Sequence, residues 1–276
     1  MLIVAALRWS DQRAAVDPLT GEVRTDPRGS GVSAAERAAL EHALRLRDAL
    51  GGRCAAVTVG PPAAEEMLRE ALAVGADEAV RVDGPDPAIA VTEDGSATAR
   101  LLLAGLGKPP DVVVCGAHSV DRGTGSTPAF LAHQLGAVQA LGLVELTAVD
   151  GRLHGVRRLD GGRRERVAFG TPAVCSVEAA GTTLRRASLP ATLAARRALI
   201  PVVQAGTLPV PAGTAKPYRP RPRPLPIPAG SEPNQRMLAL TGALVARTPP
   251  KVIRPATATE AAQALVDYLR DNGFTL

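Results

Sequence analysis

Four short, largely apolar runs, each followed by a stretch of helical spacing, decide what the first half of this chain can fold into. LIVAALR (2–8), CAAVTVG (54–60), AVRVD (79–83) and DVVVC (111–115) read as strands of a sheet covered on both faces. A long polar loop with Gly and Pro (9–32) follows the first run. Residues 33–52 then read as a helix, with a capping box of Ser33 and Glu36 and an apolar face of Leu40, Ala43, Leu44 and Leu46. Gly51-Gly52 stops it. Further helices are predicted over 61–75, 96–106 and 126–135, the first with Pro and Glu in its opening turn. Alternation of this kind requires a parallel sheet with helices on both faces. Ligands of such sheets bind beyond the carboxyl ends of the strands, where strand order switches.

After residue 137 the period changes to two. The segment LVELTAVDGRLHGVRRLDGGRRERVAFGTPAVCSVEA alternates apolar and polar residues, broken by Asp150-Gly151 and Asp160-Gly161-Gly162. These are turn signals, because Asp-Gly tolerates positive φ, so antiparallel hairpins are expected beside the parallel sheet. Residues 185–202 read as a Pro-broken loop and a short helix. Ten of the 24 prolines lie between 201 and 233, a composition that favours extended polyproline geometry over sheet or helix. The division expected is an α/β core over 1–200, an extended Pro-rich arm over 201–256 and a C-terminal helix over 257–276. That helix opens with a capping box of Thr257 and Glu260 and shows an apolar face of Ala261, Ala264, Leu265, Tyr268 and Leu269.

Aromatic residues make up only 2% of the chain, so the core is built of Ala, Val and Leu, and no stacking platform for nucleic-acid bases is available. The net charge of +5 comes from arginine, with lysine only at 108, 216 and 251. Cys54, Cys115 and Cys175 each sit inside an apolar run without metal-ligand or CxxC spacing and read as buried structural thiols of a reducing compartment. No apolar run approaches a membrane span and the first residues carry no basic leader, so a cytoplasmic protein without membrane insertion is expected.

The run DVVVC empties into GAHSVDRGTGSTPAFLAHQLG (116–136), crowded with glycine and hydroxyl residues before its helix starts. Ser119, Thr124, Ser126 and Thr127, with the amides of the turn and the helix N-terminus, are good donors to a phosphate; a capped surface turn is the plainer reading. The segment lacks the G-K-[ST] of a Walker loop and the G-x-S-x-G of a nucleophile elbow, and no GxGxxG follows the first strand. The histidines are scattered: His42 and His133 read as surface residues of helices, and His118 as a turn residue or a ligand contact. Glu36 and Glu65-Glu66 suit helix starts rather than acid–base work. Asp121 either braces the turn or accepts from a ribose hydroxyl. No catalytic constellation assembles.

The order ALEHALRLRDALGG, AVTVGPPAAEEMLREALAVGADEAVRV, DVVVCGAHSVDRGTGSTPAFLAHQLG, then RRLDGGRRERV, TPAVCSVE and LRRASLPATLAARR, resembles the β subunit of electron transfer flavoproteins over nearly the whole chain. Within that family it is similar to a diverged actinobacterial branch such as the one associated with mycofactocin. The resemblance implies an adenine nucleotide hydrolase-like core in a non-enzymatic electron-carrier subunit, paired with a flavoprotein α subunit that holds most of the FAD. It implies AMP, or a second FAD in bifurcating members, inside the β subunit. Electrons then pass from donor dehydrogenases to a quinone-linked or other acceptor.

Carried over by position, the resemblance places the adenine pocket at Ala5, Ser33, Val59 and the run Gly116, Ser119, Val120, Asp121, Arg122, Gly123, Thr124, Gly125, Ser126 and Thr127. The family usually starts its first helix with Asn-Pro, where this chain has Ser33-Ala34, and carries Gln or Asn-Gln where it has Gly125-Ser126. The family's anchor for partner dehydrogenases maps to Ala187, Ser188, Leu189 and Pro190; without the resemblance Leu189 would be a helix-entry staple. The alternative reading is a stand-alone adenine-nucleotide sensor of the stress-protein type, which shares the strand–helix alternation.

Overall fold

The computed structural model describes residues 1–274 except 14, 18, 22, 25, 84–94, 122, 205–231 and 242–251. The chain divides into two units, Met1–Tyr218 and Arg219–Leu276.

The first unit opens with β1 (Leu2–Leu7), and the polar segment behind it holds two small hairpins. In these, β2 (Trp9–Asp11) pairs with β5 (Ser30–Val32), and β3 (Ala15–Val16) with β4 (Val23–Arg24). A plain loop was expected there. The buried Asp11 carboxylate is the organiser, accepting from the N–H groups of Arg13 and Asp26 at 2.8 Å each.

Then follow α1 (Ala34–Leu50), β6 (Arg53–Val59), α2 (Glu65–Ala73), β7 (Glu78–Asp83), α3 (Gly95–Ala104), β8 (Val112–Gly116) and α4 (Thr127–Leu135), as the alternation predicts. The meander is β9 (Val138–Val149), β10 (Arg152–Arg158) and β11 (Arg164–Phe169); β12 (Ala173–Val177), α5 (Leu189–Arg197) and β13 (Val202–Gln204) complete the unit. These strands form one sheet in the order β11-β10-β9-β12-β8-β1-β6-β7-β13.

Strand β1 sits between β6 and β8 and pairs with both in parallel, Ala5 opposite Ala56 and Val114. Its residues serve two cores. Ile3, Ala5 and Leu7 join the layer of Leu40, Leu44 and Leu68 from α1 and α2, while Leu2, Val4 and Ala6 join Leu101, Leu102 and Leu131 from α3 and α4. Full burial of each of these leucines is worth about 1.5–3 kcal/mol. The chain runs from β1 outward to β6 and β7, then returns through α3 to β8 on the other side of β1. The switch in strand order therefore falls between β1 and β8.

Three expectations are corrected. TPAVCSVEA does not extend the antiparallel meander: β12 lies between β8 and β9, parallel to both. All five of its residues are buried, which suits the interior of a two-faced sheet rather than a half-exposed hairpin. Residues 202–204, assigned to the arm, form an edge strand parallel to β7. Within the second unit, Pro233–Leu240 is a helix, α6, because Pro is compatible with a first helical turn. The remaining Pro-rich stretch, 205–231, lies outside the described residues.

The last helix, α7 (Ala258–Asp271), has the predicted cap: Thr257 Oγ1 accepts from the Glu260 N–H at 3.2 Å, and Glu260 Oε2 accepts from the Ala256 N–H at 2.8 Å. Its apolar residues Leu265 and Tyr268 are exposed.

Candidate functional site: the crevice between β1 and β8

A small crevice of about 70 Å³ opens at the carboxyl ends of β1 and β8, at the switch in strand order. Its walls are the end of β1 (Ala6, Leu7, Arg8), Glu36 of α1, Val59 of β6, Thr98 and Leu102 of α3, and, after β8, Cys115, Gly116, His118, Ser119, Thr124, Gly125, Thr127 and Pro128.

The loop after β8 is held by its own bonds. Ser119 N–H donates to the Thr124 carbonyl at 2.8 Å, Gly123 N–H donates to the Ser119 carbonyl at 2.8 Å, and the two hydroxyls meet at 3.1 Å. Gly123 takes a φ of +63°, a conformation that favours glycine. Gly125 packs so tightly that a Cβ there would lie 2.5 Å from the Ala117 carbonyl oxygen. The turn is tied to β1 by Arg8, whose guanidinium grips Asp121 through Nε to Oδ1 at 3.2 Å and Nη2 to Oδ2 at 2.8 Å. Asp121 therefore braces the turn.

The predicted pocket residues fall into two groups. Val59, Gly116, Ser119, Thr124, Gly125 and Thr127 line the crevice. Ala5 is wholly inside the sheet core, Ser33 is buried as the N-cap of α1, and Val120, Gly123 and Ser126 are exposed around the rim. Arg122 lies outside the described residues. Ser126 makes no capping bond to α4, so its hydroxyl is not spent on the helix.

Sequence reading missed the residues contributed by other elements: Arg8, Glu36, Thr98 and Leu102. Glu36 is the instructive one. Ser33 Oγ accepts from its N–H at 3.2 Å, which is half of the expected capping box. Its carboxyl turns inward instead, and Oε1 lies where a Cβ on Gly116 would come within 2.6 Å. Burial pushes this carboxyl up to about 7, against the opposing pull of the Arg8 and Gly116 N–H groups and the Arg8 charge. The signal available in the sequence was an acidic residue one turn into a helix that follows the first strand.

The expectation that His42 lies on the surface is overturned. It is buried between α1 and the meander, with Nδ1 3.2 Å from the Leu146 carbonyl and Nε2 3.2 Å from Thr182 Oγ1. Period-3.6 reading misplaced it because β9 covers a second face of α1. Burial lowers its basicity. It borders an open recess of about 660 Å³; a second, of about 680 Å³, lies between α2 and the segment before α5. Both exceed the crevice in size, but neither lies at the carboxyl ends of β1 and β8.

All three cysteines are free and buried, their thiols pushed up by burial, to about 12 for Cys54 and Cys175. Among the described residues no helix is long and apolar enough to cross a membrane.

The family model described as "Electron transfer flavoprotein domain" matches residues 23–208. The chain belongs to the electron transfer flavoprotein β-subunit family. It is 30% identical to Protein FixA of Sinorhizobium fredii over 191 residues, 67% of each chain. It is also 37% identical to the electron transfer flavoprotein subunit beta of Thermoanaerobacterium thermosaccharolyticum over 121 residues, 44% of this chain and 45% of that one. The corresponding subunit of Mycobacterium bovis is 35% identical over 130 residues, 45% of this chain and 48% of that protein. The matched stretches thus span from just under half to two thirds of these relatives.

In this electron transfer flavoprotein subunit the segment nominated for partner contact enters α5. Ser188 caps the helix, its Oγ accepting from the Ala191 N–H at 3.3 Å. Ala187 packs against the core, whereas Ser188 and Pro190 are exposed and Leu189 is 71% exposed. Leu189 is therefore not a staple. Its approach is anchored by Arg185, which donates from its backbone N–H and Nε to Glu41 Oε2 of α1 at 3.0 and 3.1 Å.

Proposed function

We propose that this chain is the β subunit of a heterodimeric electron transfer flavoprotein and holds an adenine nucleotide, AMP or a second FAD, in the crevice between β1 and β8. The observation that carries this reading is the crevice's place at the switch in strand order, closed by a braced, glycine-bearing loop that leads into a helix N-terminus. The amides and hydroxyls from Ser126 onward suit a phosphate, and charge-assisted bonds of this kind are worth about 1.5–3 kcal/mol each. The enclosed volume is small beside the roughly 300–1,000 Å³ of ordinary ligand pockets. One end of the nucleotide would sit inside and the rest would lie across the exposed loop.

FAD, held mostly by an α subunit, supplies the electron uptake and release; this chain's residues bind the nucleotide and dock partners, with no acid–base step of their own. Electrons then move from donor dehydrogenases to a quinone-linked or other acceptor. The β9–β11 extension and the exposed Leu189 favour this reading over a stand-alone nucleotide sensor, which needs neither.

The test is denaturing release and chromatography of nucleotides from the chain copurified with its flavoprotein partner. One FAD and one AMP per heterodimer is the result expected of an ordinary carrier, and two FAD that of a bifurcating one. A lone chain carrying ATP or AMP and no flavin refutes the carrier assignment. Replacing Ser126 and Thr127 together by Glu should expel the nucleotide by charge repulsion; full occupancy in that variant refutes the phosphate position.

A further inference from the structure

One group inside the crevice is left without an assignment. Glu36 is only 5% exposed, and among the described residues its Oε2 has no hydrogen-bond partner. Buried polar atoms in folded proteins are normally paired, so an orphan in a cavity wall points to a partner that arrives with a ligand. The capping role cannot absorb it, because the carboxyl faces Gly116 and the end of β1 rather than the helix start. Glu36 shares the crevice with Ser119, Thr124 and Thr127.

We propose that Glu36 is a specificity-determining residue of this crevice, its free Oε2 accepting a hydrogen bond from an O–H or N–H donor on the nucleoside part of the bound nucleotide. The inference rests on reading the crevice as a nucleotide site. In its ionised form Glu36 disfavours a phosphate in this corner, since a carboxylate and a phosphate are both acceptors of like charge. The ligand is thereby given a direction: phosphate toward the N-terminus of α4, and the neutral, donor-bearing end toward α1. Buried carboxylates at strand ends of α/β sheets read ribose hydroxyls in the same manner.

The arrangement also has a protonic signature. The N–H groups of Arg8 and Gly116 face the carboxyl, the Arg8 guanidinium and the Asp121 carboxylate act on it through space, and Cys115, whose thiol feels the Glu36 charge, lines the same crevice. With Oε1 toward the N–H groups, the proton of the neutral form resides on Oε2, the atom that must accept. Binding a donor there selects the ionised form and releases that proton.

The experiment is calorimetric titration of the full chain, wild type and Glu36→Gln, with AMP, 2′-deoxy-AMP, 3′-deoxy-AMP and purine riboside 5′-monophosphate, which lacks the exocyclic amine. The wild type should discriminate against at least one analogue by about tenfold, the worth of one bond to a charged group. The Gln variant should lose most of that discrimination. The analogue that suffers identifies the donor as ribose hydroxyl or base amine. The ratio of wild-type to Gln affinity for AMP should rise between pH 6 and pH 8, a comparison in which the ionisation of the phosphate cancels. If the Gln variant does not fold, proton release by the wild type on binding adenosine 5′-sulfate, whose sulfate does not titrate near neutrality, read in two buffers of different ionisation enthalpy, replaces it. AMP bound with identical discrimination by both proteins, or the sulfate analogue bound without proton release, overturns the role of Glu36 alone. No binding of any nucleotide to the wild type overturns both this role and the nucleotide reading of the crevice.

Discussion

The Arg8 guanidinium, one residue past the end of β1, holds the Asp121 carboxylate of the loop after β8 through two bonds of 3.2 and 2.8 Å. The pair bridges the two strands at the switch in strand order and so fixes the floor and the rim of the crevice relative to each other. Both side chains are partly exposed, 24% and 14%, which limits the stability they contribute to about 1 kcal/mol. Asp121→Asn should therefore lower unfolding free energy only slightly while the loop at 116–127 loses order. Amide hydrogen exchange should accelerate in that loop and not in α2 or β6; unchanged exchange would show that the loop's internal bonds suffice.

Glu36 makes stability depend on pH. Its value in the folded protein is raised from 4.5 to about 7, with burial as the leading cause. The folded state therefore holds a proton that the unfolded state has lost. The resulting stabilisation is complete below pH 4.5 and disappears as pH rises through 7, and its full extent is about 3 kcal/mol. Glu36→Gln should flatten this part of the profile, so that the stability of wild type minus variant falls between pH 5 and pH 8. Denaturant unfolding at several pH values measures it, and a constant difference would place Glu36 in water.

Much of this fold is legible in the sequence. Continuous apolar runs alternating with capped helices specified the parallel sheet, because only a two-faced sheet buries strands such as Val112–Gly116 completely. What the sequence did not reveal depends on contacts between distant segments. The placement of β12 beside β8, with Ala173 opposite Val112, is a pairing across some 60 residues. His42 went wrong for the same reason, since the carbonyl that it meets belongs to Leu146. Glu36 fits a local capping rule so well that its carboxyl, drawn to the ends of two strands, gives no local sign of it. The loop after β8 was readable because glycine and hydroxyl residues mark it in a row.

Gly125 should not tolerate a methyl group. A Cβ there would stand 2.5 Å from the Ala117 carbonyl oxygen, a backbone atom of a residue whose own N–H donates to the Val177 carbonyl at 2.9 Å. Gly125→Ala should cost about 1–3 kcal/mol, as overpacking does, and should reduce bound nucleotide. Gly107→Ala, where no atom lies within 4 Å of the new Cβ, is the control and should behave as wild type. Equal melting curves for the two variants would argue against a tightly packed turn.

The ion pair of Glu41 with Arg185 ties the approach to α5 onto α1. The Glu41 side chain is 5% exposed and accepts from both the backbone and the guanidinium of Arg185, as well as from Arg45 Nε at 2.8 Å. Burial alone would raise the Glu41 carboxyl, but these donors hold it below its ordinary value. Arg185→Ala leaves that carboxylate with Arg45 and the backbone N–H of residue 185 only, and loss of the guanidinium bonds should cost about 1.5–3 kcal/mol. Limited proteolysis should then cut between 183 and 188 sooner than in wild type. An unchanged digestion pattern would mean that Ala187 packing by itself anchors the segment.

Leu189 tests the docking role of this segment. A leucine 71% exposed at a helix entry contributes little to folding, so Leu189→Ala should leave stability within about 0.5 kcal/mol of wild type. If the side chain enters a hydrophobic site on a donor dehydrogenase, its burial there is worth about 1.5–3 kcal/mol. Loss of that contact corresponds to a rise in apparent Kd of about tenfold or more. Electron transfer measured against dehydrogenase concentration should then require more partner for the same rate, with flavin content of the complex unchanged. A curve that superimposes on wild type from limiting to saturating partner would remove Leu189 from the docking surface. Arg185→Ala provides the contrast: by loosening the whole segment it should weaken the same transfer and also lower stability, whereas Leu189→Ala should separate the two.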